Sequence, residues 1–239
     1  GEVIILTDAD CRVGKLWVSS MVYSVINQNC ISIGFSEIGV SSNSLFEKYQ
    51  YIDFLSIISA NAGSAGWGQF WSGTGQNLAF YKEDFFKING FESVKDRISG
   101  DDMYLVQSIS KLKKGYINID PNSFVKTIAM PTMKEFINQR VRWSSNSKLN
   151  ATENPLFFSF LSTMFIYNII IVMSFLLSGN WFFLFLFKFI LEGSVIFLGG
   201  KLFNRKIDFL PFCLWSIAQP LYIPLVGVLG LKEKFIWKP

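Results

Sequence analysis

Two aspartates separated by one residue, Asp8-Ala9-Asp10, follow the apolar run Val3 to Leu6 after a single threonine, Thr7. Carboxylate oxygens at that spacing are natural ligands for a hard divalent cation such as Mg2+ or Mn2+. The segment Glu2–Thr7 reads as a buried strand, so the pair falls at a strand's carboxyl end, where ligands bind in open α/β sheets. Aspartates also start turns at strand ends, and the pair alone leaves both readings open. A second pair, Asp101-Asp102, could supply a general base within reach of an incoming hydroxyl. Carboxylates in a helix's first turn also suit the helix dipole, and Ser99 could cap such a helix, so a structural role is the default for this pair taken by itself. Gln139, Arg142 and Trp143 stand at i, i+3 and i+4, which puts an amide, a guanidinium and an indole on one helix face. Arginine grips phosphate oxygens and tryptophan offers a flat apolar platform for a sugar ring, although a helix snorkelling its arginines at a lipid boundary would look similar.

Residues 1–130 alternate short β-like runs with longer helical patterns, the habit of an α/β layer around a largely parallel sheet. Lys15–Gln28 reads as a helix, Ile31–Phe35 as a strand, and Ser44–Ala60 as a helix with Phe46, Tyr49, Phe54 and Ile57 on one face. A loop from Ala62 to Gly75 follows, carrying Gly63, Gly66, Gly68, Gly73 and Gly75 among Trp67, Phe70 and Trp71. That composition permits close backbone approach to a ligand and equally describes a mobile connector. Pro131, Thr132 and Glu135 form a capping-box pattern that opens an amphipathic helix over Thr132–Leu149, expected to lie along a membrane surface.

Half of the 239 residues are hydrophobic and 25 are Phe. Neither Leu156–Phe187 nor Phe209–Leu231 contains a charged side chain. Leu156–Leu177 and Trp181–Leu202 each fit a transmembrane helix, with Lys188 and Glu192 four residues apart and able to pair. Pro211, Pro220 and Pro224 suggest that Phe209–Leu231 is kinked or a re-entrant hairpin, and the hairpin would keep Lys232, Lys234 and Lys238 on the cytoplasmic side. Lys201, Arg205 and Lys206, between apolar spans, are expected on that side as well. This gives three parts: an α/β domain over 1–131, an interface helix over 132–150 and a membrane region over 151–239. Three cysteines with no metal-ligand spacing, and no histidine, argue against a disulfide scaffold or a zinc site. A net charge of only +4 gives nucleic-acid binding little support. Gly1 opens almost directly into a strand, so upstream sequence is expected.

In order, the segments D-A-D, G-T-G-Q-N-L-A-F-Y-K-E (Gly73–Glu83), G-D-D (Gly100–Asp102) and Q-R-V-R-W (Gln139–Trp143), followed by membrane helices, resemble the family 2 glycosyltransferases of the cellulose, chitin and hyaluronan synthase type. The resemblance covers nearly the whole chain, and Q-x-x-R-W ahead of a transmembrane segment is its most specific feature. It implies a partial GT-A catalytic domain on the cytoplasmic face of a bacterial inner membrane or its equivalent, using Mg2+ or Mn2+. By the resemblance, Asp8 lies near the nucleotide and Asp10 is a metal ligand. Asp102 matches the general base, with Asp101 beside it where many members have Glu. Gln139, Arg142 and Trp143 match the motif that binds donor diphosphate and places the acceptor end, and Gly73, Thr74 and Gly75 match the acceptor-lining segment. The family's upstream nucleotide-binding strand, with its own aspartate, is not among these residues, so full donor binding is expected to need more chain. The implied partners are a nucleotide-sugar donor, a UDP-sugar by the same resemblance, a glycan or lipid acceptor and membrane lipids. A partner subunit or an oligomer is expected if a polymer channel is to be completed. Rival readings are single-sugar transfer to a lipid, as in the ceramide glucosyltransferase type, a membrane transport protein, and a catalytically dead partner subunit.

Overall fold

A computed structural model describes residues 1–42, 44–97, 99–177 and 179–232. Lys234 and Lys238 of the expected basic tail lie outside the described residues. The chain divides into two compact units, one of Gly1–Ala129 with Val195–Ile207 and one of Met130–Ser194 with Asp208–Pro239.

The first unit is mixed α/β. Strands β1 (Val3–Leu6), β2 (Arg12–Val13), β3 (Ile31–Gly34), β4 (Ser36–Gly39), β5 (Leu78–Tyr81), β6 (Gly115–Asn118) and β7 (Val125–Ile128) form two sheets, ordered β1-β5-β3-β6 and β2-β7-β4. The expectation of a largely parallel sheet is corrected here. Strand β5 runs antiparallel to both β1 and β3, and within the larger sheet only β3 and β6 are parallel. Strand β1 is half-buried rather than buried, because it pairs with β5 alone and forms the sheet's edge.

Period-2 alternation assigns the two faces of the larger sheet. Leu78 and Phe80 of β5 join Ile31 and Ile33 under Leu105, Val106 and Ile109 of helix α4 (Asp101–Leu112), with Ile4 and Leu6 of β1 beside them. Ala79, with Val3, Ile5 and Tyr81, faces the other way, onto Trp17, Met21 and Val25 of helix α1 (Trp17–Gln28). Those three recur at i, i+4 and i+8, one stripe of a helix, and burying each such side chain contributes about 1.5–3 kcal/mol. Helix α1 ends at Asn29, which takes the left-handed conformation (φ 46°) and returns its N–H to Val25 O.

Helix α2 (Leu45–Gly66) starts as expected, with Ser44 as its N-cap, but runs on through Ala62, Gly63 and Gly66. The glycine-rich connector is therefore shorter than expected. Its buried side includes Ile52, Phe54, Leu55 and Ile58, whereas Ile57 is exposed, so the anticipated face of Phe46, Tyr49, Phe54 and Ile57 does not form. The short helix α3 (Lys82–Lys87) follows β5.

In the second unit the capping box forms: Thr132 Oγ1 accepts from Glu135 N (3.2 Å), and Thr132 N donates to the Glu135 carboxylate (3.1 Å). Helix α5 (Met133–Ser145) is shorter than expected and passes through a 3-10 turn at Asn146–Leu149 into α6 (Asn150–Glu153). Asn154 and Pro155 then open α7 (Pro155–Leu176), the cap accepting from Phe157 N at 3.1 Å. Helices α8 (Trp181–Leu202) and α9 (Phe209–Leu231) complete the chain's apolar part. By length and composition α7, α8 and α9 can each cross a membrane. Phe136 and Val141 of α5 are buried, with Phe136 stacked on Tyr222 of α9 at 5.9 Å.

Phe209–Leu231 is one helix rather than a re-entrant hairpin. Pro211 sits in its first turn, where no N–H is required, but Pro220 leaves the Ser216 carbonyl without its helical donor. Lys188 Nζ supplies one at 3.3 Å. The same ammonium pairs with Glu192 at 2.6 Å, and Glu192 accepts from Ser216 Oγ at 2.8 Å. Lys188 is 4% exposed. Removing one partner of a buried pair typically costs ~3–5 kcal/mol, whereas replacing both by apolar residues is close to neutral. Lys188→Met is therefore expected to lower the melting temperature in detergent sharply, and Lys188→Met with Glu192→Leu to recover the part due to the unpaired carboxylate but not the roughly 1–3 kcal/mol for the Ser216 carbonyl left without this donor.

Candidate active site

Register brings three segments to one end of the larger sheet. Leu6 pairs with Leu78 and Ile33 also pairs with Leu78, so the chain leaving β1, the chain leaving β3 and the chain entering β5 meet at that end. Asp8-Ala9-Asp10-Cys11 leaves β1 there in a turn closed by Cys11 N to Asp8 O (3.0 Å). Pairing of Arg12 and Val13 with β7 fixes the turn's far side. Donor atoms of Asp8, Asp10 and Cys11 all lie within 4.8 Å of one another. Burial pushes the Cys11 thiol up from its ordinary value, and the neighbouring Asp8 and Asp10 charges push it the same way. It therefore stays protonated at neutral pH, and the charged donors are two carboxylates, a set that fits a hard cation. Cys11's place beside the two aspartates was not expected from cysteine spacing.

The segment entering β5 carries the other half. Asp102, the second residue of α4, accepts from Gly75 N at 3.1 Å through Oδ2 and from Met103 N at 2.7 Å through Oδ1. It is half-buried, and Asp101 is exposed. The cap of α4 is Gly100 in the left-handed region (φ 93°), not Ser99. Helix α4 also holds the glycine-rich segment upstream, through Gln107 Nε2 to Trp71 O at 2.8 Å. Gly73 is packed inward, since a Cβ there would meet the Leu78, Val106 and Ile33 side chains, and Thr74 Oγ1 bonds Ser36 Oγ at 3.2 Å.

Asn77 closes this segment. Its Nδ2 donates to Phe35 O and Ser123 O (2.8 Å each), its Oδ1 accepts from Trp17 Nε1 (3.0 Å), and its backbone O accepts from Gly34 N (2.9 Å). A Cβ on Gly34 would fall 2.3 Å from Asn77 Nδ2, so only glycine lets the two strands' ends meet. Asn77 lies inside the G-T-G-Q-N-L run, yet nothing in the run separates it from an ordinary loop amide.

Asp8, Asp10 and Cys11 could hold a metal ion at this strand end, and the Asp102 carboxylate of the neighbouring helix is bonded to the Gly75 amide in the segment that enters β5 at the same end. Residues 1–226 match the glycosyl transferase family 21. The chain belongs to that family. No curated protein matches it.

The family 21 match supports glycosyltransferase activity, and with it a nucleotide-sugar donor and an acceptor, without extending to the polymer-synthase type. On α5 of this family 21 chain, Gln139, Arg142 and Trp143 share one half-buried face, and Arg140, which was not singled out in the sequence, organises it. Arg140 is 4% exposed. Its guanidinium lies 4.2 Å over the Trp143 ring and 4.6 Å over the Phe136 ring, and it donates to Gln139 Oε1. One face of the Trp143 indole is therefore covered by Arg140 rather than open as a platform.

Proposed function

We propose that this family 21 glycosyltransferase moves one sugar from a nucleotide-diphosphate donor, a UDP-sugar, to the hydroxyl of a membrane lipid, with inversion at the anomeric carbon. The single observation that supports the chemistry most is Asp102 held by the Gly75 amide at the sheet end where Asp8 and Asp10 also emerge. The acceptor oxygen attacks the anomeric carbon, the bond from that carbon to the diphosphate oxygen breaks with its electron pair leaving on the diphosphate, and the acceptor proton passes to Asp102. Asp8 and Asp10 would hold Mg2+ or Mn2+, which when bound supplies positive charge for the departing diphosphate. Gln139, Arg142 and Trp143 are assigned donor and acceptor binding, and Gly73–Gly75 the acceptor side, on the motif resemblance. A lipid acceptor suits the family and a chain with three apolar helices. The α/β body is assigned to the cytoplasmic face.

Membranes carrying the protein, given radiolabelled UDP-glucose, UDP-galactose or UDP-N-acetylglucosamine with ceramide and with or without Mn2+, test this directly. One donor is expected to yield a lipid bearing a single sugar, only with metal present. A ladder of long products would instead favour a polymer synthase, and label recovered only as free sugar would argue against a lipid acceptor.

A further inference from the structure

The last segment of the α/β unit, Val195–Ile207, comes from the end of α8 and the loop behind it. Helix α8 stops in a Schellman turn. Asn204 takes the left-handed region (φ 52°), Arg205 N bonds Gly200 O (2.6 Å) and Asn204 N bonds Lys201 O (3.3 Å). That turn aims Arg205 at β4. Its Nε and Nη2 donate to the two carboxylate oxygens of Glu37 at 2.5 and 3.2 Å, a bidentate pair. The guanidinium also lies 4.9 Å over Phe124 and 5.5 Å over Phe35, and Phe203 stacks on Phe35 at 4.3 Å. Phe35 and Phe203 are each 1% exposed.

The strand so gripped is the one that holds the candidate catalytic segment. Phe35 O accepts from Asn77 Nδ2, and Ser36 Oγ bonds Thr74 Oγ1. Thr74 and Asn77 bracket Gly75, whose amide meets Asp102. Charge bias alone places Arg205 only on one side of a bilayer. The pair with half-buried to buried partners is a stronger constraint than sidedness requires.

We propose that Arg205 is a positioning residue for sugar transfer: latched to Glu37, it fixes the Phe35–Glu37 strand, and through it the Thr74–Asn77 segment that orients Asp102. The inference rests on reading Asp102 as the base. It makes the catalytic carboxylate's placement depend on the docking of α8's last turns.

The test uses the full chain in lipid nanodiscs and compares Arg205→Gln with Arg205→Lys and with the exposed-site control Lys206→Gln. Hydrogen exchange of the peptide containing Gly75 is expected to speed up about tenfold or more in Arg205→Gln, as local opening becomes easier. Turnover of UDP-glucose with ceramide should fall by on the order of 10–100-fold, with the KM for UDP-glucose within about twofold, because a misplaced group costs rate rather than donor binding. Arg205→Lys should restore a substantial part of both, and Lys206→Gln should change neither. Unchanged Gly75 exchange, or unchanged turnover, in folded Arg205→Gln overturns the inference. Should Arg205→Gln fail to fold, Arg205→Lys and Glu37→Gln carry the same comparison. Normal turnover in Asp102→Asn would sink the base assignment instead, and the exchange result would still report on the latch.

Discussion

Asp102→Asn is expected to abolish sugar transfer, lowering turnover by about 10²–10⁴-fold, the usual contribution of a positioned general base. The substitution is nearly isosteric, and an amide oxygen can still accept the Gly75 N–H that Oδ2 now accepts at 3.1 Å, while the Met103 N–H loses the Oδ1 acceptor it has at 2.7 Å, at a cost of about 1 kcal/mol. The KM for the nucleotide sugar should therefore stay close to that of the parent protein and the melting temperature should fall by only a few degrees, so that the loss reads as chemistry and not as unfolding. Asp101 provides the contrast, because it is exposed. Asp101→Asn is expected to lower turnover far less than Asp102→Asn. Initial rates for the two variants, measured beside their melting curves, check this. Comparable turnover in Asp102→Asn and the parent would end its assignment as the base.

The second large effect is expected at the strand end. Asp10→Asn removes one of the two carboxylates in the Asp8, Asp10 and Cys11 group. Mn2+ affinity, followed by electron paramagnetic resonance, should weaken by at least the roughly 10–100-fold that loss of a ligand's supporting hydrogen bond already costs. Turnover should fall by about 10³-fold, since a metal contributes several kcal/mol of charge stabilisation to the departing group. Cys11→Ser is expected to leave Mn2+ binding nearly unchanged, because a hard cation prefers the carboxylate oxygens to sulfur. Tight Mn2+ binding that survives both Asp8→Asn and Asp10→Asn would place the cation elsewhere.

Local signals in the sequence carried well. The capping box at Thr132 and Glu135, the strand at Ile31, the D-x-D at a strand's carboxyl end and the Lys188–Glu192 pairing all depend on residues within a few positions of one another. The features that were not legible depend on long-range partners. Strand direction in the larger sheet is decided by β5 threading between β1 and β3, and alternation in a strand does not encode its neighbour's direction. The continuity of α9 was hidden because its prolines read as breakers, while the donor that compensates Pro220 comes from Lys188 on another helix. Asn77 and Arg205 looked like a loop amide and a flanking basic residue. Their importance lies in Phe35, Ser123 and Glu37, which are far away in sequence. Gly100 displaced Ser99 as the cap of α4 because φ 93° is a backbone state that favours glycine over serine.

Because Val195–Ile207 completes the α/β unit, that unit is not continuous along the chain. The ribosome must make all of Met130–Ser194, which belongs to the other unit, before Phe203 can stack on Phe35 or Arg205 can reach Glu37. At translation speeds of roughly 5–20 residues per second, the nascent sheet waits several seconds with its aromatic corner uncovered. During biosynthesis the α/β unit should therefore be completed only after α7 and most of α8 have been made, and a nascent chain arrested short of residue 205 should remain open to protease around Phe35.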